Sequence, residues 1–373
     1  MTTATQRFTA LDVFRGLTIC LMVIVNTPGD EAFSFAPLLH AKWNGFTPTD
    51  LVFPSFLFAV GNAMSFVSKR WMHQTNAQVL TKIFKRTAVI FLCGYLMYWF
   101  PFVKNMDGEW IAKPFSHTRL MGVLQRIALC YCIASLLVYF FKTRVVVFIG
   151  IALLLLYWLI AVLFGDAADP FGMTTNAGYK FDYWLIGENH LYHGEGIAFD
   201  PEGLLSTMPA VVNVLGGYFV GLHLQKTNKS YEGLTKLLLT GFALIAIAYF
   251  WNFLFPINKK LWTSSFVLHT VGLDCMILGA IVFLIDRKPT ARWPRFFEIA
   301  GKNPLAIYLF SELLAHGLEA IPVGETNSLN WVYTNSFMYL PDYWNSLLFA
   351  IAFMLVCWAL GYWMDKKKIY WRA

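Results

Sequence analysis

The run RVVVFIGIALLLLYWLIAVLF, residues 144–164, carries one charge, at its first position, and is apolar on every side of any helix drawn through it. At a rise of about 1.5 Å per residue, its twenty residues after Arg144 span about 30 Å, the thickness of a bilayer's hydrocarbon core. A soluble amphipathic helix keeps a polar face, and this run has none. Working outward, nine further stretches have the same character: 9–27, 50–68, 86–103, 119–141, 203–224, 237–255, 264–285, 296–319 and 345–364. The chain is 57% hydrophobic and 14% charged, against about 25% charged in soluble domains. The expected fold is therefore all-α: one polytopic integral membrane helical bundle over residues 1–373, with about ten transmembrane helices.

Charge orients the bundle. With the N-terminus inside, 19 of the 29 Lys and Arg residues fall on the cytoplasmic side, 6 on the other, and Arg15, Arg119, Arg126 and Lys302 lie within spans. Positive residues collect on the cytoplasmic side of membrane proteins, so both termini are expected there, in a multi-pass protein of the cell inner membrane. The N-terminal sixteen residues lack a signal peptide's layout, and the first apolar run is expected to stay as a helix. The long loops 28–49, 165–202 and 320–344 then lie outside. The net charge of +7 comes from small clusters bordering apolar runs, which speaks for membrane orientation and against nucleic acid. All six cysteines sit inside apolar runs, so neither structural disulfides nor a metal site is expected.

Ionisable residues inside a membrane cost about 2.5–3.5 kcal/mol each on insertion scales, so each needs a reason. Asp12, Arg15 and Asn26 project within about 60° of one another on the first span. Asp12 and Arg15 read equally well as an anchoring ion pair, whereas Asn26 stands at the outer end beside a polar loop. Arg119 and Arg126, seven residues apart, share a face, and each suits either a carboxylate partner or a phosphate. Pro304 removes a backbone donor beside Lys302 and Asn303, a break of the kind that binds ligands, although a Lys302 snorkelling to the interface is the simpler account.

The outer loops hold the chemistry. LLHAKWNGFTPTDLVFPSF, residues 38–56, sets His40 ten residues before Asp50, with Trp43 and Asn44 in a turn-rich segment between two apolar runs. A histidine titrates near neutrality and takes a proton from a nucleophile, and a carboxylate fixes its tautomer. Trp43 suits stacking on a sugar or an interfacial position. In the second loop Asp182, Glu188, His190, His193, Glu195, Asp200 and Glu202 crowd into some twenty residues. That density suits recognition of hydroxyls or an amine, and equally a solvated acidic loop; Asp200 also reads as the cap of a helix starting at Gly203.

Six ordered blocks then become recognisable: LDVFRGLTICLMVIVN, HAKWNGFTPTDLVFPSFLFAVG, GVLQRIALCY, DYWLIGENHLY, FDPEGLLSTM and FPINKKLWTSSFVL, with GKNPLAIYL fitting a looser C-terminal part. Together they resemble the heparan-alpha-glucosaminide N-acetyltransferase family of transmembrane acetyltransferases and its bacterial homologues. The resemblance implies acetyl transfer from cytosolic acetyl-CoA, as co-substrate, to the amine of a glucosamine-type sugar outside. It implies His40 as the catalytic histidine and carries the asparagine ending the first span over to Asn26. With Asp50 these make the expected catalytic set. Arg15, Arg119, Arg126, Lys302 and Asn303 are candidates for CoA, and Trp43, Asn44, Asp182, Glu188, His190, Asp200 and Glu202 for the acceptor. An acetyl-histidine intermediate and direct transfer both remain open, as does a homodimer. The competing functions are a permease for N-acetylglucosamine or a related amino sugar, and O-acylation of envelope polysaccharide.

Overall fold

The computed structural model describes residues 8–106, 109–287 and 291–371. Among them run thirteen α-helices: α1 (Thr9–Asn26), α2 (Pro48–Val67), α3 (Asn76–Trp99), α4 (Val123–Phe140), α5 (Thr143–Phe164), α6 (Ala177–Ile186), α7 (Thr207–Thr227), α8 (Tyr231–Trp251), α9 (Ser264–Arg287), α10 (Trp293–Lys302), α11 (Pro304–Ala320), α12 (Ser328–Ser336) and α13 (Trp344–Lys366). Two short ribbons, β1 (Val103–Met106) with β2 (Glu109–Ala112) and β3 (Pro322–Val323) with β4 (Thr326–Asn327), lie in the connections. The fold is an all-α polytopic membrane bundle. Arg7, Lys288 and Arg372, which enter the charge count, lie outside the described residues.

Eight of these helices, α1, α2, α4, α5, α7, α8, α9 and α13, are long and apolar enough to cross a membrane. Two of the ten expected spans differ, each for a local reason. In α3, 24 residues long, Lys82, Lys85 and Arg86 leave thirteen residues beyond the last charge. The 296–319 stretch is two helices, α10 and α11, because Asn303 leaves helical geometry (φ −134°, ψ 48°) and Pro304 offers no backbone donor. Two starts also shift. Helix α4 begins at Val123, so Arg119 precedes it. Helix α7 begins at Thr207 rather than Gly203, and Asp200 Oδ1 instead accepts from the Glu202 amide at 2.9 Å in the turn before it.

Lipid tails are as apolar as leucine, so helices in a bilayer associate by close packing, which small residues allow. At the α2/α7 crossing a Cβ on Gly61 would sit 1.7 Å from the Val214 carbonyl oxygen, and one on Gly217 1.9 Å from that of Phe58. The α1/α10 crossing repeats the device with Gly16 and Gly301. Gly217→Val is therefore expected to force α2 and α7 apart, at a cost of about 3 kcal/mol or more. Thermal unfolding in detergent checks this, with Gly150→Ala as the control: there a Cβ meets only Leu215 Cδ1, at 3.7 Å. Helix α1 positions the chemistry: its eighteen residues, about 27 Å long, carry a cavity at each end.

Candidate active site

The first outer loop is folded around one carboxylate. Asp50 is the third residue of α2, where a side chain can reach back to the residue before the helix. Its Oδ2 accepts from the Thr47 amide at 3.0 Å, the Thr47 hydroxyl at 3.1 Å and the Ala41 amide at 3.1 Å. Its Oδ1 meets His40 Nδ1 at 2.7 Å. A carboxylate only accepts, so Nδ1 carries the hydrogen and the lone pair is left on Nε2. Asp50 is 1% exposed while the His40 side chain is 43% exposed. The acid is a buried anchor for a ring that faces open space.

That space is a cavity of about 1070 Å³ at the C-terminal end of α1, the end expected to face outward and called outer below. His40, Asp50 and Lys259 line it, together with Asn26, Glu312 and His316, and with Arg119, Tyr192, Glu195 and Glu202. Asn26 is the last residue of α1, and its Nδ2 donates to Glu312 Oε1 at 3.1 Å. Lys259 Nζ lies 3.1 Å from both ring nitrogens of His40. Lys260 pairs with Glu195 at 2.5 Å. Arg119 Nη2 reaches Asp200 Oδ1 at 2.6 Å and Glu202 Oε2 at 2.5 Å, its Nε reaches Asp200 Oδ2 at 3.0 Å, and the guanidinium lies over the rings of Tyr98 and Tyr192. Burial raises the Glu202 carboxyl, yet Arg119, with Arg126 and Lys259 behind it, holds it below its ordinary value. Burial lowers the Lys259 ammonium, against the pull of Glu202 and Asp50.

A second pocket, about 610 Å³, opens at the other end of α1. Arg15, Lys69, Arg70, Arg86 and Lys302 bring positive charge to it, and Tyr131, Tyr370 and Trp371 bring aromatic faces. The Arg86 guanidinium lies 4.6 Å from the Tyr131 ring centre, and its Nε is buried with no hydrogen-bond partner among the described residues. The two spaces approach each other closely: Val123 and Tyr308 line the outer one, Leu124 and Leu305 the inner one.

Of the expected residues, the structure brings His40, Asp50, Asn26, Arg119 and Glu202 to the outer cavity, and Arg15 and Lys302 to the inner pocket. Arg119 therefore lies at the opposite end of α1 from Arg15 and Lys302, with which the sequence groups it. Arg126 lines neither space. It is fully buried, bonded to Ser206 Oγ and the Gly203 carbonyl (2.9 Å), with its guanidinium over Trp262. Asn303 pins the chain end instead, donating to the Ile369 carbonyl and accepting from the Trp371 amide, both at 2.9 Å. Trp43 Nε1 donates to the Phe171 carbonyl at 3.0 Å, and Asn44 Oδ1 accepts from Asn258 at 3.1 Å, so both tie outer loops together. Asp182 Oδ1 accepts from the Leu204 and Leu205 amides, and burial pushes its carboxyl up to about 7. Glu188 accepts from the Tyr183 hydroxyl at 3.0 Å, and His190 Nδ1 donates to the Thr118 carbonyl at 2.8 Å. None of the four loop residues Trp43, Asn44, Glu188 and His190 lines the outer cavity.

Sequence reasoning passed over Lys259, Glu312 and His316 outside, and Lys69, Arg70 and Arg86 inside. The last three stood in plain view as a basic cluster between two spans. Glu312 had a signal too, a carboxylate within an apolar run, masked by attention to Lys302 and Asn303 in the same stretch.

The family described as "Heparan-alpha-glucosaminide N-acetyltransferase, catalytic" matches residues 7–186. The heparan-alpha-glucosaminide N-acetyltransferase of Mus musculus is 26% identical and that of Homo sapiens 25% identical over 429 aligned positions, covering 98% of this chain. The chain spans about 60% of the length of these curated relatives. Over residues 7–186 the chain is similar to the heparan-alpha-glucosaminide N-acetyltransferase catalytic family, and its likeness to the two mammalian proteins continues to the C-terminal helices.

Proposed function

We propose that this protein is a transmembrane N-acetyltransferase that moves an acetyl group from acetyl-CoA, bound at the basic inner pocket, to the amine of a glucosamine-type sugar in the outer cavity. The observation that carries the reading is the placement of one Asp-held imidazole, its lone pair on Nε2, at an open cavity that nearly meets a cationic pocket at the other end of the same helix. The inner pocket suits a nucleotide thioester: Arg15, Lys69, Arg70 and Arg86 offer charge for phosphates, and Tyr131 and Trp371 offer faces for an adenine ring. A pantetheine arm reaching from there passes Leu124 and Val123 toward His40. The orientation that matches has both termini cytoplasmic, in the cell inner membrane, with residues 1–373 acting as one unit.

In this reading Nε2 takes the proton that the acceptor nitrogen releases as it attacks the thioester carbonyl. The ammonium form of the sugar is first held by Glu312, which Asn26 orients. Glu312→Gln is expected to raise KM for glucosamine about tenfold while leaving KM for acetyl-CoA unchanged, since a charged hydrogen bond contributes about 1.5–3 kcal/mol. Steady-state kinetics with each substrate varied in turn measures this.

The decisive experiment uses purified protein in liposomes with radiolabelled acetyl-CoA on one side and glucosamine on the other. N-acetylglucosamine should accumulate on the sugar side. Movement of labelled sugar without acetyl-CoA and without acetylated product would instead mark a permease. Acetylation of N-acetylglucosamine, seen by mass spectrometry when both sugars are offered, would mark a hydroxyl acceptor.

A further inference from the structure

Helix α11 brings three titratable residues to the outer cavity: Glu312, His316 and Glu319. Spacings of four and three set them one above the next on a single face. Glu312 Oε1 accepts from Asn26 Nδ2 at 3.1 Å, and its other oxygen, Oε2, faces His316 Nε2 at 4.0 Å. On the far side of the ring, Nδ1 lies 3.2 Å from Glu319 Oε2. A carboxylate only accepts, so Nδ1 carries the hydrogen and Nε2 the lone pair. The Glu312 side chain is 18% exposed, and among the described residues no lysine or arginine pairs with it. Two acceptors thus face each other across a gap that no hydrogen bond closes. A nitrogen about 2.9 Å from each fits across it. An exposed ion pair at a helix end would need neither the sheltered glutamate nor the asparagine that turns it.

The proton count of the reaction gives that gap a use. An amino-sugar nitrogen resembles an α-amino group, which titrates at about 7.7–8.0, so it enters mostly as the ammonium. It must lose one proton to become a nucleophile and a second as it attacks, and His40 accounts only for the second. We propose that His316 is the base that takes the first: the ammonium bridges Glu312 Oε2 and His316 Nε2 and gives its proton to Nε2. This rests on the acetyl-transfer reading of the cavity. One N–H bond breaks, its electron pair stays on the nitrogen, and the Nε2 lone pair bonds the hydrogen. The imidazolium lies between two carboxylates, which favour it, and its side chain, 37% exposed, returns the proton to the water outside. The free amine remains in the cavity that His40 also lines. It attacks the thioester carbon, the carbon–sulfur bond breaks with its electrons on sulfur, and the second proton reaches that sulfur by way of His40. The products are the amide, the CoA thiol and one released proton.

The titratable groups facing this pair are Glu319 and Tyr308 on the same helix, Lys113 in the segment after β2, Tyr98 on α3 and Cys357 on α13. At pH 6.5 about one amino sugar in twenty is free amine, and at pH 9 nearly all of it is. Without His316 only that fraction reacts, so the loss should follow the protonation of the acceptor.

The test measures kcat/KM for glucosamine in the unmodified protein, His316→Ala and Glu319→Gln, at pH 6.5 and pH 9 with acetyl-CoA saturating. Relative to the unmodified protein at the same pH, His316→Ala should lose about 20-fold at pH 6.5 and less than about twofold at pH 9, with KM for acetyl-CoA unchanged. Glu319→Gln keeps the ring but loosens its tautomer, and should lose about fivefold at pH 6.5 only. It carries the comparison if the alanine variant misfolds. A side chain with only a structural role would lower both values by the same factor. Equal losses at the two pH values, or no loss at pH 6.5, overturn the proposal and leave the acetyltransferase reading standing; this is judged in His316→Ala, or in Glu319→Gln where the alanine variant does not fold. Absence of any transfer by the unmodified protein overturns that reading, and this proposal with it.

Discussion

His40→Ala is expected to yield a folded protein that transfers acetyl groups roughly 10³-fold more slowly. The side chain is 43% exposed and its carboxylate partner, Asp50, has three other donors, so truncation leaves a small, water-filled gap and no orphaned carboxylate. Stability should barely move. The rate should collapse because no other imidazole takes its place: His117, His193 and His316 also line the cavity, but among the described contacts none of the three has a buried carboxylate fixing its tautomer as Asp50 does. General base catalysis is worth about 10²–10⁴ in rate, and the alanine variant loses all of it. Two measurements on one preparation decide the matter: the melting temperature in detergent, and kcat with radiolabelled acetyl-CoA. A variant that melts normally and still turns over within about tenfold of the unmodified protein would remove His40 from the chemistry. Asp50→Asn provides the contrast, since it removes a helix-start acceptor and the tautomer control together and should lower both stability and rate.

The reason His40 could be found in the sequence, while Lys259 could not, is physical. A membrane chain tolerates few polar residues between apolar runs, so a histidine ten residues before an acid at a helix start is conspicuous, and i to i+10 is close enough for loop geometry to join them. Lys259 is 219 residues from its partner. Only the packing of α8 and α9 against the first outer loop brings it there. The same distance problem explains the acidic loop. Asp200 and Glu202 looked equally fit to cap a helix or meet a ligand, and their actual partner, Arg119, is some eighty residues away. Span detection worked because apolarity over twenty residues is a local property. It failed at Asn303 for a local reason as well, the missing Pro304 amide, which hydropathy does not register.

That Arg119 cluster carries the largest expected effect on stability. Arg119→Leu removes the shared partner of two carboxylates, one of them, Asp200, with a fully buried side chain. A buried ion pair adds little relative to apolar packing, but removing one partner is costly because the other charge stays behind without water. The expected loss is about 3–5 kcal/mol, which for a chain of this length corresponds to a fall of about 5 °C in melting temperature at neutral pH. The guanidinium also fills the gap between Tyr98 and Tyr192, 4.9 and 4.5 Å from their ring centres, so leucine replaces part of that packing and none of the charge. The sign with pH separates the two losses. In the unmodified protein Glu202 is held below its ordinary value, so its contribution is full above the unfolded value of about 4.3 and is lost as pH falls through the folded one. Without Arg119, burial dominates and raises the same carboxyl, so acid now relieves the variant by protonating it. The gap in melting temperature between the two proteins should therefore narrow from pH 7 to pH 4.5. A gap that stays constant across that range would mean the loss is one of packing, with the carboxylates paired elsewhere.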